Sequence, residues 1–271
     1  MNIIGLGKTG CAIAEKFSKY PQYKIFKLSV EEGSINEQSH PEQYESKTSH
    51  APFALDGPID FILSGDEIII AASLKILEVY KDHEIRIIYI RPSQRFNTGL
   101  QRATDKVVFN VLQEYTRSNK FSSFYVISYE MVAKMVGKIP IVGYYDKLNT
   151  VIADTFHMLN YLDHIEGAMD TFMDMPPTYS IKTIGLMDMQ SGTENLFYNL
   201  DEVRDKRYYY SINEEQLNND GDLFDSINEQ IEKKITDLAK AMFGVYSSQY
   251  KDNYCYVVYS SPHIQGIKWN Q

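Results

Sequence analysis

Along the first half of the chain, short apolar runs alternate with amphipathic stretches. Asn2–Gly5 is an apolar run; Gly5-Leu6-Gly7-Lys8-Thr9-Gly10 follows, and Ile13, Ala14 and Phe17 then recur at helical spacing. A second apolar run, Tyr23–Val30, ends in Glu31-Glu32-Gly33, and residues 33–58 are polar and rich in Ser, Gln, His and Pro, as in a long loop. The alternation then resumes. It predicts a strand at Ile59–Leu63, a helix at Ile68–Lys81 and a strand at Ile85–Ile90 stopped by Arg91-Pro92-Ser93. A helix over 104–117, with Val107, Val108, Val111, Leu112 and Tyr115 on one face, precedes a strand at Phe124–Ile127. Repeated strand–helix units of this kind predict a parallel sheet covered by helices on both faces.

A long helix starting near Tyr145 carries Leu148, Val151, Ile152, Phe156 and Leu159 along one stripe. Beyond residue 170 the pattern changes. Met173-Asp174-Met175-Pro176-Pro177 breaks the chain, and Ser180–Met187, Arg207–Ile212 and Tyr254–Ser260 read as strands. Leu223, Ile227, Ile231, Ile235, Leu238 and Met242, closed by Gly244, predict one regular helix over 222–243. The expected fold class is α/β. A Rossmann-like parallel-sheet domain including the long central helix spans 1–162, and a smaller α+β domain spans 163–271.

Composition narrows the function classes. Hydrophobic residues make up 44% and charged residues 23%, the balance of an ordinary globular protein. No apolar run approaches the roughly 18 residues of a membrane span, so no membrane insertion is expected. The opening Asn2-Ile3-Ile4-Gly5 has neither the basic nor the apolar region of a signal peptide, so a cytoplasmic protein is expected. Two cysteines, Cys11 and Cys255, are too few for a metal cluster or a disulfide scaffold. Asp and Glu number 36 against 27 Lys and Arg, a net charge of −9 with no basic block, which argues against nucleic acid as a partner.

Gly5-x-Gly7-x-x-Gly10 lies between a strand and a helix, where backbone N–H groups and the positive end of the helix can meet a phosphate. The other reading is a tight turn that uses glycine for close packing. A dinucleotide fold also wants an acid about 20 residues on for the ribose hydroxyls. Glu31 and Glu32 stand at that distance, or merely end a strand in solvent. Spacing alone therefore keeps an NAD(P)-dependent oxidoreductase open.

Three ordered segments resemble the tubulin/FtsZ family. Gly7-Lys8-Thr9-Gly10-Cys11-Ala12-Ile13-Ala14-Glu15-Lys16-Phe17 is similar to the loop and first helix that contact the nucleotide phosphates. Tyr144-Tyr145-Asp146-Lys147-Leu148-Asn149 resembles the segment that stacks an aromatic on guanine and hydrogen-bonds the base through an Asn. Asn160-Tyr161-Leu162-Asp163-His164-Ile165-Glu166 resembles the loop whose two carboxylates polarise the attacking water on the neighbouring subunit's nucleotide. The resemblance spans about residues 1–190. It implies a self-assembling cytoskeletal protein that binds GTP or GDP with Mg²⁺. It further implies head-to-tail filaments, an adaptor protein as a further partner class, and GTPase activity coupled to assembly. The implied nucleotide-binding residues are Gly7, Lys8, Thr9, Gly10, Cys11, Gly65, Tyr129, Tyr145 and Asn149; the implied catalytic residues are Asp163 and Glu166, and no separate metal site is assigned.

Each of these residues also has a plainer reading. Tyr145 and Asn149, four apart on one helix face, can hold a purine, or be a core aromatic and a surface amide. Asp163 and Glu166, an i, i+3 acidic pair expected at a helix start, can orient a water, or simply cap that helix through its dipole. The family's glycine-rich phosphate loop is eroded. In the place assigned to it, Leu63-Ser64-Gly65-Asp66-Glu67-Ile68 keeps one glycine, and Tyr129 stands where an Asn usually reads the base. Asp66 and Glu67 either hold a Mg²⁺ that bridges to phosphate or repel the phosphate. In the second case the protein is a nucleotide-free relative that assembles or binds a partner.

Overall fold

The computed structural model describes residues 1–29, 43–44, 53–93 and 97–266. Glu31 and Glu32, and most of the polar stretch 33–58, lie outside the described residues.

The first sheet strands are β1 (Asn2–Leu6), β2 (Lys24–Leu28), β3 (Ile59–Ser64), β4 (Ile85–Arg91) and β5 (Ser123–Ser128). They pair in the order β2-β1-β3-β4-β5, all parallel. β1 and β3 are buried along their whole length, which is why they read as continuous apolar runs. Their side chains alternate between two cores. Ile3 and Ile62 face the layer formed by α1 (Gly7–Lys16) and the central helix, whereas Ile4, Leu6, Phe61 and Leu63 face the other. That second layer holds a 3₁₀ turn, Ile68–Ala72, leading into α2 (Ser73–Val79), and α3 (Gly99–Arg117).

After β5 come α4 (Tyr129–Val136) and the central helix α5 (Tyr144–Leu162). The remaining strands continue the same sheet. β7 (Ile181–Met187) pairs parallel with β5, β11 (Tyr254–Ser261) runs antiparallel between β7 and β9 (Asp205–Asn213), and β10 (Lys240–Ser248) lies parallel to β9. The two-residue β6 (Met169–Asp170) edges β10, and β8 (Glu194–Leu196) pairs with β7. Two short helices, α6 (Glu214–Asn219) and α7 (Leu223–Glu232), complete the second half; Ile227 and Ile231 of α7 enter its core.

Three expectations are corrected. The helix expected over 222–243 ends at Glu232, and residues 240–248 are a strand. Ile235 and Leu238, two of its expected core positions, are 54% and 65% exposed. Pairing of Ala-Met-Phe-Gly-Val-Tyr along the full length of β9 outweighs the helical spacing, since strand preference depends on cross-strand packing. Lys234 marks the break: its ammonium donates to Gly192 O at 2.6 Å and lies 3.2 Å from Glu194. Next, the helix expected over 104–117 starts at Gly99, and its buried face is Asp105, Val108, Phe109, Leu112 and Thr116, with Val107 and Tyr115 exposed. Finally, the helix expected over 68–81 opens as a 3₁₀ turn and ends at Val79.

Candidate nucleotide site and the acidic loop opposite

Parallel strands bring the loops that follow β1, β3, β4 and β5 to one end of the sheet, where open α/β sheets bind ligands. At that end the helix α1 begins directly at Gly7, with φ of +75°. Lys8 N and Thr9 N point outward, and both are taken. They donate to the two carboxylate oxygens of Glu67 at 2.6 and 2.8 Å. The Glu67 carboxylate therefore stands where an anion bound to this helix terminus would stand. Burial, more than any other cause, raises Glu67 above the ordinary carboxylate range; the N–H bonds oppose the shift and the charge of Asp66 adds to it.

The glycines divide by function. A Cβ on Gly5 would lie 2.4 Å from Gly10 O, and one on Gly10 would lie 2.4 Å from Ile62 O, so these two allow α1 to press onto β1 and β3. A Cβ on Gly7 would lie 2.5 Å from Glu67 Oε2, so Gly7 makes room for the carboxylate. Gly65 packs in the same way against Asp105, whose carboxylate accepts from the buried Tyr89 hydroxyl at 2.6 Å. Cys11 donates to Gly5 O at 3.2 Å, and burial pushes its thiol up to about 11, so it is a packing group and no nucleophile. The Lys8 side chain is exposed.

Beside this loop lie the three residues singled out for the base. Tyr129, at the start of α4, donates through its hydroxyl to Asn149 Oδ1 at 2.6 Å, and its ring centre is 5.6 Å from that of Tyr145. Tyr129 and Asn149 are 8% and 5% exposed and fixed in place, whereas Tyr145 is 63% exposed and free to stack. Burial raises the Tyr129 hydroxyl far above its ordinary value, and the charges of Asp66 and Glu67 raise it further, which puts these acids within electrostatic reach of the trio. Lys16 of α1 ion-pairs with Asp146 in the first turn of α5, tying the two helices together.

Two side chains escaped the sequence reading. Thr98 and Gln101 form a capping box on α3, and Gln101 Nε2 donates to Asp66 O at 2.7 Å, fastening the 65–67 turn to that helix. The Thr-x-x-Gln spacing at 98–101 carries that signal. Nothing in the sequence signals the Glu67 contact, which spans 58 and 59 positions. Asp66 Oδ1 is buried and has no hydrogen-bond partner among the described residues, so it is the oxygen best suited to a cation here. Among the described residues no three His, Cys, Asp or Glu side chains converge on one point. A Mg²⁺ at this end would thus have Asp66 as its carboxylate ligand.

Asp163 and Glu166 lie at the other end of the sheet. Central helix α5 runs opposite to the strands: its start meets Tyr129 after β5, and near its end Asn160 accepts from Arg86, at the start of β4, at 2.7 Å. Its 19 residues span about 28 Å. Asp163 follows the last turn of α5 and no helix starts at 163–166, which corrects the expected helix start and removes the dipole-capping reading. Asp163 and Glu166 are exposed, and the charge of Asp163 is felt by Arg86, Lys182 and Tyr209. Within one chain these carboxylates and the glycine loop do not meet.

No protein-family model matches the chain, and no curated protein matches its sequence. Solved structures do match. An empty FtsZ dimer from M. jannaschii superposes with a TM-score of 0.69 at 11% identity over 96% of this chain and 87% of that one. The GTPγS-form protofilament of TubZ from Bacillus thuringiensis serovar israelensis gives 0.68 at 12% identity, covering 95% and 86%. The GTPγS-bound protofilament of CetZ2 from Haloferax volcanii gives 0.65 at 9% identity, covering 96% and 92%.

Proposed function

We propose that this chain, which has the tubulin/FtsZ fold, is a cytoskeletal protein that binds guanine nucleotide at the glycine-loop end and assembles head to tail. The observation that carries the reading is the separation of two half-sites along α5: Tyr129, Tyr145 and Asn149 at its start, Asp163 and Glu166 at its end. A water oriented by those carboxylates reaches a nucleotide only when it belongs to the next copy, so hydrolysis would follow assembly.

The two ends also carry the apolar surface that such a contact needs. Ile141 and Val142, just before α5, are 94% and 92% exposed. At the opposite end Met173, Ile235, Leu238 and Met242 line a cleft of about 270 Å³ beside the starts of β9 and β10. Different patches at opposite ends form a heterologous contact that repeats into a filament.

A second reading is favoured by the Glu67 contact: the same assembly without nucleotide, its helix terminus already satisfied by a carboxylate. Binding measurements with GTP, ATP, NAD and NADP, combined with sedimentation with and without GTP, separate the readings. GTP-specific binding with GTP-dependent pelleting supports the first, pelleting without any nucleotide supports the second, and specific NAD(P) binding overturns both. For hydrolysis, Asp163→Ala should abolish turnover while nucleotide affinity stays within about twofold, since Asp163 touches no part of the binding end within its own chain.

A further inference from the structure

We propose that Glu67 is an internal phosphate surrogate that gates the site, so that a nucleotide phosphate enters only by displacing its carboxylate. The inference rests on the reading of this end as a nucleotide site and adds how that site is regulated.

The competition is a matter of donors. Lys8 N and Thr9 N are N–H groups that the start of α1 offers an anion, and both already donate to Glu67. A carboxylate spreads one negative charge over two oxygens and matches two adjacent N–H groups as one edge of a phosphate does. Two anions cannot share these donors, and a phosphate held beside the displaced acid would also face Asp66. The fit is built for the carboxylate. Gly7 adopts φ of +75°, and a side chain there would strike Glu67 Oε2 at 2.5 Å.

The gate opens by side-chain rotation alone. Glu67 sits on extended backbone at the start of the 3₁₀ turn, with φ of −119° and ψ of 133°. Ile68, Ile69 and Ile70 behind it are buried, and Gln101 holds the backbone oxygen of Asp66 in front. The main chain is therefore anchored on both sides, and rotation of the Glu67 side chain toward the exposed Lys8 uncovers the two N–H groups without unfolding the turn.

The test compares the wild type with Glu67→Gln and Glu67→Ala by calorimetric titration with GTP and, separately, with inorganic tripolyphosphate; circular dichroism verifies that each variant is folded. Glu67→Gln keeps the shape and one acceptor oxygen, so it covers the case in which the alanine variant fails to fold. The expected result is at least tenfold tighter binding of both GTP and tripolyphosphate in the variants, because the base plays no part in the competition. Unchanged GTP affinity in both variants overturns the gate and leaves the nucleotide-site reading standing. Weaker GTP binding in both variants also overturns it, by making Glu67 a ligand of the nucleotide through a bridging metal. No binding of any nucleotide by wild type or variants overturns the gate and the nucleotide-site reading together.

Discussion

The Tyr129 hydroxyl donates to the Asn149 side-chain oxygen at 2.6 Å, which decides what Asn149 has left to offer a base. With Oδ1 committed, the amide presents its NH₂ group. That donor suits the O6 acceptor of guanine and meets a donor amine on adenine. Tyr129→Phe removes the commitment, and the amide is then free to turn over and present either face. The expected outcome is a preference for GTP over ATP that falls by about tenfold, with ring packing and GTP affinity largely kept. Competition between GTP and ATP for wild type and variant reads it directly. An unchanged preference would show that Asn149 does not read the base.

This pair also marks how far the sequence could be read. The four-residue spacing puts Tyr145 and Asn149 on one helix, but it was the resemblance that singled out these two and Tyr129 for a base, and that role is a proposal. The inner parallel strands β1 and β3 were legible because they are buried on both faces and read as unbroken apolar runs. What long-range contact decides was not legible. Helical spacing over 222–243 is real as far as Ile231, but strand pairing to β9 takes over from Lys240. Asp66 and Glu67 were recognised as acids near a phosphate position. Only the fold shows that Glu67 takes the N–H groups of Lys8 and Thr9 at the start of α1 while Asp66 keeps a buried oxygen unpaired.

The glycine loop makes a stability prediction independent of any ligand. Gly10→Ala would place a methyl group 2.4 Å from the backbone oxygen of Ile62, in the centre of the sheet, where neither strand nor helix can yield without repacking. Gly99, at the start of α3, has nothing within 4 Å of the same methyl position. Gly10→Ala should therefore cost about 2–3 kcal/mol. Gly99→Ala should be neutral or stabilising by up to about 1 kcal/mol. Chemical denaturation of the two variants decides it, and equal effects would mean that α1 does not press on β3 as described.

Glu194 should behave as the keystone of the second half. It accepts from Tyr208 at 2.6 Å and from Tyr259, and it pairs with Lys234 at 3.2 Å. Burial works against its charge, yet these three donors hold it below the ordinary carboxylate range. Replacing it with Ala leaves the Tyr208 and Tyr259 hydroxyls only each other, at 3.2 Å, and Lys234 only the Gly192 oxygen, with an expected loss of about 2–3 kcal/mol near neutrality. A depressed carboxyl contributes stability above its unfolded value, near 4.3, and loses it as pH falls through the lower folded value. The difference between wild type and Glu194→Ala, measured by urea midpoints, should therefore shrink below about pH 4.

Lys182 gives the opposite pH signature at the acidic-loop end of the sheet. Burial, then the like charges of Arg86 and Arg207, bring its ammonium down to about 8, although Asp163 and Asp205 oppose the shift. A base whose folded value is depressed contributes stability only above its unfolded value, near 10.4, and that contribution is lost as pH falls through about 8. At neutrality the charged Lys182 is thus a net cost, at most about 3 kcal/mol for a shift of this size. Lys182→Met keeps the stem over the Tyr125 ring and removes the charge. It should raise the melting temperature at pH 7, with the advantage over wild type fading between pH 8 and 10 as the wild-type lysine becomes neutral. Buried tyrosines and Cys255 titrate in both proteins, so the difference between the two melting curves isolates Lys182. A constant difference across that range would mean that Asp163 and Asp205 fully compensate the cation. The exposed Asp163 would then be bound electrostatically to its own subunit, and less available to act on the next one.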